Sequence, residues 1–278
     1  PRRGPDNPRG GCGGRAVAVG ACSRTGFHYS GDMFEPADLF DLSQTDHAGL
    51  FEGCAHGWDA LKGLAAYIGA HVRPALRNRC EGVAYIGERV YIGAGTVVED
   101  GVMIKGPAII GRNCQIRHNA YLRENVIVGD DCVVGNACEL KNVLLFNRTH
   151  LSHLNYVGDS ILGYRSHLGA GVKISNVKIL PGRVIVEVRG NRIDTGLAKF
   201  GALVGDRAEV GCNAVLNPGT ILGRDTLVYP NVSWRGALAA GGIAKNRAQV
   251  EVVVRCPPHP GPSNASGATP SGLGSDAA

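Results

Sequence analysis

From residue 86 an apolar side chain recurs at every sixth position. Ile86, Ile92, Val98, Ile104, Ile110, Ile116, Leu122, Val128, Val134, Leu140 and Phe146 stand in phase. Two residues before the anchors sit small or β-branched side chains: Val90, Thr96, Val102, Ala108, Cys114, Ala120, Val126, Cys132 and Cys138. Glycine follows the anchor at 87, 93, 111, 129 and 135. The rhythm resumes at Leu162, Leu168 and Ile174, and again at Val204, Val210, Leu216, Leu222 and Val228. Six is neither the period of a helix nor that of a strand. It is the signature of a hexapeptide β-helix, in which each hexad is one short strand and a turn. The anchor points inward, and glycine is expected to give the turn its unusual backbone angles. No coil can bury its own face, so stability comes from stacking on neighbours. Cys114, Cys132 and Cys138 read as small core fillers.

Two stretches interrupt the rhythm. HLSHLNYVGD (150–159) falls between Phe146 and Leu162 and carries two histidines, a tyrosine and a Gly-Asp. Residues 183–198 lack the hexad. There VIVEVRGNRI (184–193) alternates apolar and polar around Arg189-Gly190-Asn191, which predicts a hairpin excursion.

Upstream, Trp58, Leu61, Leu64, Ala65 and Ile68 fall on one face of a helix. Residues 34–80 are therefore expected to be a helical connector and 81–250 the β-helix. Residues 1–33 and 251–278 are rich in Gly, Pro, Ser, Arg and Ala, and read as a disordered leader and tail. The expected fold class is all-β, a parallel β-helix of hexapeptide repeats with a short N-terminal helical segment.

Composition narrows the function classes. The 278 residues carry a net charge of +5, of which residues 1–32 supply +3 through five Arg against two Asp. The remaining +2 makes no case for nucleic acid or membrane. No apolar run approaches a transmembrane span. Nine cysteines without a CxxC pair suggest reduced thiols and a cytoplasmic protein.

Arg123, GNACELKN (135–142), HLNYVGD (153–159), GAG (169–171), Asn176 and KFGALVGD (199–206) resemble the acetyltransferase domain of the bifunctional enzyme that makes UDP-N-acetylglucosamine. Arg123 lies eighteen residues before Lys141, which lies twelve before His153, in agreement with that family. RIDTGLAKFGALVGD (192–206) is similar to the β-helix domains attached to sugar-1-phosphate nucleotidylyltransferases, where a WD-containing helix like GWDALKGLAAYI (57–68) joins two domains. The resemblance covers about residues 81–236 and implies a left-handed coil. The glycine-rich loop of the nucleotidylyltransferase domain has no match, so that activity is not expected.

The resemblance implies transfer of an acetyl group from acetyl-CoA to the amine of an amino-sugar phosphate such as glucosamine 1-phosphate, in a homotrimer with sites between subunits. His153 holds the general-base position, since a neutral imidazole can take the amine's proton. Glu139 holds that of its orienting partner. Arg123 and Lys141 match phosphate-binding positions, and a guanidinium can grip phosphate with two prongs. Tyr156 adds a hydroxyl. Lys199 matches a lysine that reaches the pocket, expected from a neighbouring subunit. Asn176 matches an asparagine near the reacting centre, and Ala170 a backbone contact to the thioester. His167 stands where the family has a sugar-contacting Asn, and Val172 where it has Thr; both bear on the identity of the acceptor. No metal site is expected, because His150, His153 and His167 lack the His-x4-His spacing of zinc-dependent β-helix enzymes. The alternative is a non-catalytic scaffold or regulatory partner of a separate nucleotidylyltransferase.

Overall fold

The computed structural model describes residues 34–188 and 191–246. Short parallel strands stack into three columns that form the faces of a coil. Face A runs through Tyr91, Ile109, Ile127, Leu144, Ile161, Leu203 and Ile221. Face B is a sheet of nine strands from Arg79–Glu81 to Ile243–Ala244. Face C runs through Ile86, Ile104, Leu122, Leu140, Val157, Ile174, Leu216 and Trp234. This is the expected parallel β-helix, consistent with the left-handed coil of the resembling domains. The chain crosses A, B and C in turn. Its first strand, Ala75–Leu76, already lies upstream of the boundary expected at residue 81.

The hexad anchors from Ile92 to Leu140, and the small residues two places before them, make one buried core. Cys114, Cys132 and Cys138 belong to it. The glycines after the anchors serve a purpose other than the expected one. None of Gly87, Gly93, Gly111, Gly129 and Gly135 is among the positive-φ residues. They are small because the next coil lies against them: a Cβ on Gly135 would sit 1.6 Å from the Ser152 carbonyl oxygen, and one on Gly87 2.2 Å from that of Lys105. Left-handed backbone occurs instead three residues after the anchor, at Asn113, Asn119, Asn125 and Asp131, types that tolerate it best.

Phe146 is not an inward anchor. Val128 pairs with Leu145, and Leu145 with Leu162, so two successive coils each take seventeen residues. Asn142 (φ 53°) and Asp159 (φ 46°) turn the shortened corners from face C to face A. Leu145 therefore fills the coil, and Phe146 points outward into a second cluster. The break foreseen at 150–159 is thus narrower than it looked: Leu151 and Val157 remain inward, and only the two corners lose a residue.

That second cluster explains the three-residue apolar runs on face A, such as Val126–Val128 and Ala202–Val204. Their middle residues point outward against Phe34, Phe40, Phe51, Trp58, Leu64 and Ile68. The covering segment comprises a short helix Pro36–Leu39, two 3-10 turns and the helix Asp59–His71. In the last helix Ala60 is buried and the expected Ala65 is exposed. Phe200, from the long insertion after Ile174, joins the cluster at 6.2 Å from Trp58. The insertion also holds the antiparallel pair Ile185–Val188 and Asn191–Asp194. Residues 189 and 190 of the predicted hairpin turn, like the expected leader and tail, lie outside the described residues.

Within the cover, His47 lies 3.3 Å from the Tyr67 hydroxyl. Burial pushes its imidazole below the ordinary histidine range and His71 adds repulsion, against opposing pulls from Asp46 and Asp130. The unfolded chain thus binds this proton more readily than the fold does. The contribution is complete above about pH 6.5 and is lost as pH falls through that value toward the lower folded one. Thermal melts are expected to show stability falling between about pH 7 and pH 5.5, with a shallower slope in His47→Gln.

Candidate active site

The residues singled out by sequence gather along face C and its two edges. At the edge toward face A, successive coils place Arg123, Lys141 and Gly158 above one another. On the outer surface of face C, Tyr121, Glu139, Tyr156 and Lys173 form a column. At the edge toward face B, Asn136 and His153 are in register, and Ala170 stands at the matching corner one coil later. Tyr156 and His153 are three residues apart along the chain, at most about 11 Å when extended.

The cation edge is internally wired. Arg123 Nη1 donates to Glu139 Oε1 at 3.0 Å, and its Nε lies 3.7 Å from Glu124. Lys141 Nζ lies 3.8 Å from Glu124 and is mostly buried. Two cations share two carboxylates here, and the exposed pairs contribute little to stability. The Tyr156 hydroxyl donates to Asn176 Oδ1 at 3.4 Å. Burial pushes that hydroxyl up, and Glu139 and Asp159 push in the same direction, which keeps it a donor. Asn176 is buried, and its amide donates to Asp159, which also accepts from Asn142 Nδ2 at 2.9 Å.

At the other edge His153 is exposed, and among the described residues its ring has no hydrogen-bond partner. The hydrogen bond expected from Glu139 is not formed: Glu139 faces Arg123, on the far side of the face. Leu154, the next residue, holds left-handed backbone (φ 56°) that a leucine adopts only at a cost. It bends the chain at the corner that carries His153. The Ala170 carbonyl accepts from the Asn213 amide at 2.9 Å and the His153 carbonyl from Gly171 at 2.8 Å. Among the described residues the Ala170 N–H has no acceptor.

One expectation is placed differently. His167 is on face B, in register with His150, 3.0 Å from the Ser152 hydroxyl and away from the cations. The His150 and His167 rings meet edge to face at 5.2 Å. Burial pushes the His150 imidazole down, and repulsion from the nearby His167, Arg117 and His153 adds to this. Lys199 is exposed, but the amide of the following Phe200 donates to the Asn176 carbonyl at 3.0 Å. The Lys199 backbone therefore lies beside the Asn176 corner of its own chain. Sequence reasoning missed Asn142 and Asp159, although Asp159 closes the quoted HLNYVGD motif.

Residues 104–191 match the family model described as the GMPPB C-terminal domain. That span contains every candidate residue except Lys199. A bifunctional sugar-1-phosphate nucleotidylyltransferase/acetyltransferase of Sulfurisphaera tokodaii is 34% identical over 91 residues, covering 33% of this chain and 23% of the relative. The bifunctional protein GlmU of Methanococcus maripaludis is 32% identical over 92 residues, covering 33% and 22%. The matched stretch therefore spans less than a quarter of the length of these relatives. Among solved structures, a GDP-perosamine N-acetyl transferase of Caulobacter crescentus is 19% identical, with a TM-score of 0.24 over 61% of this chain and 53% of that one. Among the described residues no helix is long and apolar enough to cross a membrane. Over a third of its length this chain is similar in sequence to bifunctional sugar-1-phosphate nucleotidylyltransferase/acetyltransferases, and its coil is the fold expected of hexapeptide repeats.

Proposed function

We propose that face C is the acceptor site of an acyl-CoA-dependent N-acyltransferase acting on an amino-sugar phosphate of the glucosamine 1-phosphate type. One observation carries the reading: a paired cation edge, Arg123 and Lys141, and an unpartnered imidazole, His153, flank the same outer face of the coil. The cations suit a phosphate, which Arg123 can grip bidentately while Lys141 acts as a point charge. Glu124 and Glu139 would then serve as placeholders that the phosphate displaces.

The chemistry follows from these positions. An amine attacks a thioester only when neutral, so a group must take its proton as the tetrahedral carbon forms. The free His153 ring is available for that. Charge developing on the carbonyl oxygen needs a donor, and the unpartnered Ala170 N–H stands one coil from His153. Collapse breaks the C–S bond, and the imidazolium can return its proton to the thiolate. Acetyl-CoA is the proposed donor, in keeping with the acetyltransferase in the name of the Sulfurisphaera tokodaii relative. Glu139 orients His153 in this reading only if substrate first draws Arg123 away. Lys199 adds a third cation at the Asn176 corner, and His167 contacts the acceptor only across the edge of face B. A cytoplasmic homotrimer remains the proposed assembly.

Replacing both Arg123 and Lys141 by Ala is expected to raise KM for a phosphorylated amino sugar about 10- to 100-fold. An unphosphorylated acceptor should be far less affected, as read by steady-state thiol release. Equal losses with both acceptors would remove phosphate from the account.

A second reading is favoured by the match over residues 104–191. The coil would be a non-catalytic domain that docks on a sugar-1-phosphate nucleotidylyltransferase. Co-purification with such an enzyme, together with no thioester turnover, would support it.

A further inference from the structure

We infer that Asp159 is the positioning residue that sets what face C recognises, by fixing both asparagine amides at the shortened corner so that the side-chain oxygen of Asn176, Oδ1, faces the acceptor. This rests on reading face C as the acceptor site.

Asp159 is buried, and its two carboxylate oxygens are both taken: Oδ1 by Asn142 Nδ2 at 2.9 Å, Oδ2 by Asn176 Nδ2. A carboxylate only accepts. Each asparagine must therefore turn its NH2 toward Asp159 and its carbonyl away. For Asn176 the consequence is visible one bond further on, where Oδ1 accepts from the Tyr156 hydroxyl at 3.4 Å. The Tyr156 ring is folded over the corner: a Cβ on Gly158 would lie 2.8 Å from its hydroxyl and 2.6 Å from Asn176 Nδ2. Glycine at 158 is thus part of the same arrangement.

The backbone holds the corner from the other side. Gly201 N–H donates to the Asp159 carbonyl at 2.9 Å and Phe200 N–H to the Asn176 carbonyl at 3.0 Å. Phe200 is in turn buried under the N-terminal cover. The two coils that carry Lys141 and Tyr156 are the ones shortened by a residue, and the shortening brings Asn142 and Asp159 into line. The preceding coil, which carries Arg123 and turns at Asn125, keeps eighteen residues, and among the described residues the Asn125 side chain makes no such hydrogen bond.

The result is a polar edge of fixed sense. Asn176 Oδ1 and the Tyr156 oxygen, whose hydrogen is already directed at Asn176, present acceptors. They fit a hydroxyl or amine hydrogen on the acceptor sugar, beside cations that fit its phosphate. A site built of such acceptors rejects an analogue lacking the matching hydrogen, because its own groups are then left unpaired.

The test measures KM and kcat for glucosamine 1-phosphate and its singly deoxygenated analogues, with wild type, Asp159→Asn and the swap Asp159→Asn/Asn176→Asp. Wild type should lose about tenfold or more in kcat/KM with at least one deoxy analogue. In Asp159→Asn, which faces the asparagines with an amide, one of them must flip. KM for the parent acceptor should rise about tenfold with kcat within about threefold, and the discrimination should collapse. The swap restores a carboxylate facing an amide across the corner, so discrimination should return even if the single variant folds poorly. Wild-type-like KM and discrimination in Asp159→Asn, or none regained in the swap, overturn this inference alone. An inactive wild type overturns the proposed function, and this inference with it.

Discussion

His153→Ala should abolish most acyl transfer while leaving the fold intact. A positioned general base contributes about 10²- to 10⁴-fold, and kcat should fall by that order. The effect separates cleanly from stability because the side chain is exposed and, among the described residues, has no hydrogen-bond partner. Its main chain, which does hold the coil through Gly171, is unchanged by the substitution. The melting temperature should stay within a degree or two, as expected of surface changes. His150→Ala is the control. That ring packs on His167 on face B, so its loss should leave kcat near wild type. If His150→Ala were the damaging change, the reaction would belong to face B.

Phe146→Ala should be among the most destabilising single changes in the chain. Its ring is fully buried, stacked at 5.1 Å on Phe40 and tilted at 5.9 Å from Phe51. Truncating such a phenylalanine costs about 3–5 kcal/mol, from lost transfer energy and the cavity left behind. Here the cavity opens between coil and cover rather than inside the coil. The cover, residues 34–72, should therefore loosen first, and limited proteolysis should cut there before the β-helix melts. Since Phe200 shares the cluster with Trp58, the Lys199 and Asn176 corner should loosen with it. If Phe146 faced the coil interior, proteolysis would show no early cut in the cover.

That contrast marks how far the sequence could be read. The period of six located the coil and its core, because each anchor from Ile92 to Leu140 faces one buried column. It failed at Phe146, since Leu145 and Phe146 are both apolar and counting cannot decide which faces inward. The decision lies with Asn142, whose left-handed backbone removes one residue from the corner. A second signal was present: outward positions are apolar in every successive coil only on face A, whereas faces B and C mix them with polar residues such as Gln115, His167, Glu139 and Lys173. Ile109, Ile127, Leu144 and Ile161 mark the side the N-terminal segment covers. The glycines after the anchors were foreseen but for another reason, since their need arises between coils and not within one.

The site was legible as a set of residues but not as a set of contacts. Spacing put Arg123 and Lys141 on one edge, because eighteen residues make one full coil. It could not tell that Glu139 would take Arg123 in place of His153, which depends on side-chain directions across face C. His167 was assigned by matching position, and the register sends it to face B instead. Asp159 was passed over because a Gly-Asp pair reads as an ordinary turn until the two asparagines one coil below and above it are seen to converge on its carboxylate.

The most direct test of the central claim is thiol release from acetyl-CoA by the purified full chain, with and without glucosamine 1-phosphate, beside His153→Ala. The account predicts release that requires the amino-sugar phosphate and falls at least about a hundredfold in the variant. Release that is independent of the amino sugar, or equal in the variant, or absent with a well-folded chain and every amino-sugar phosphate offered, would contradict it.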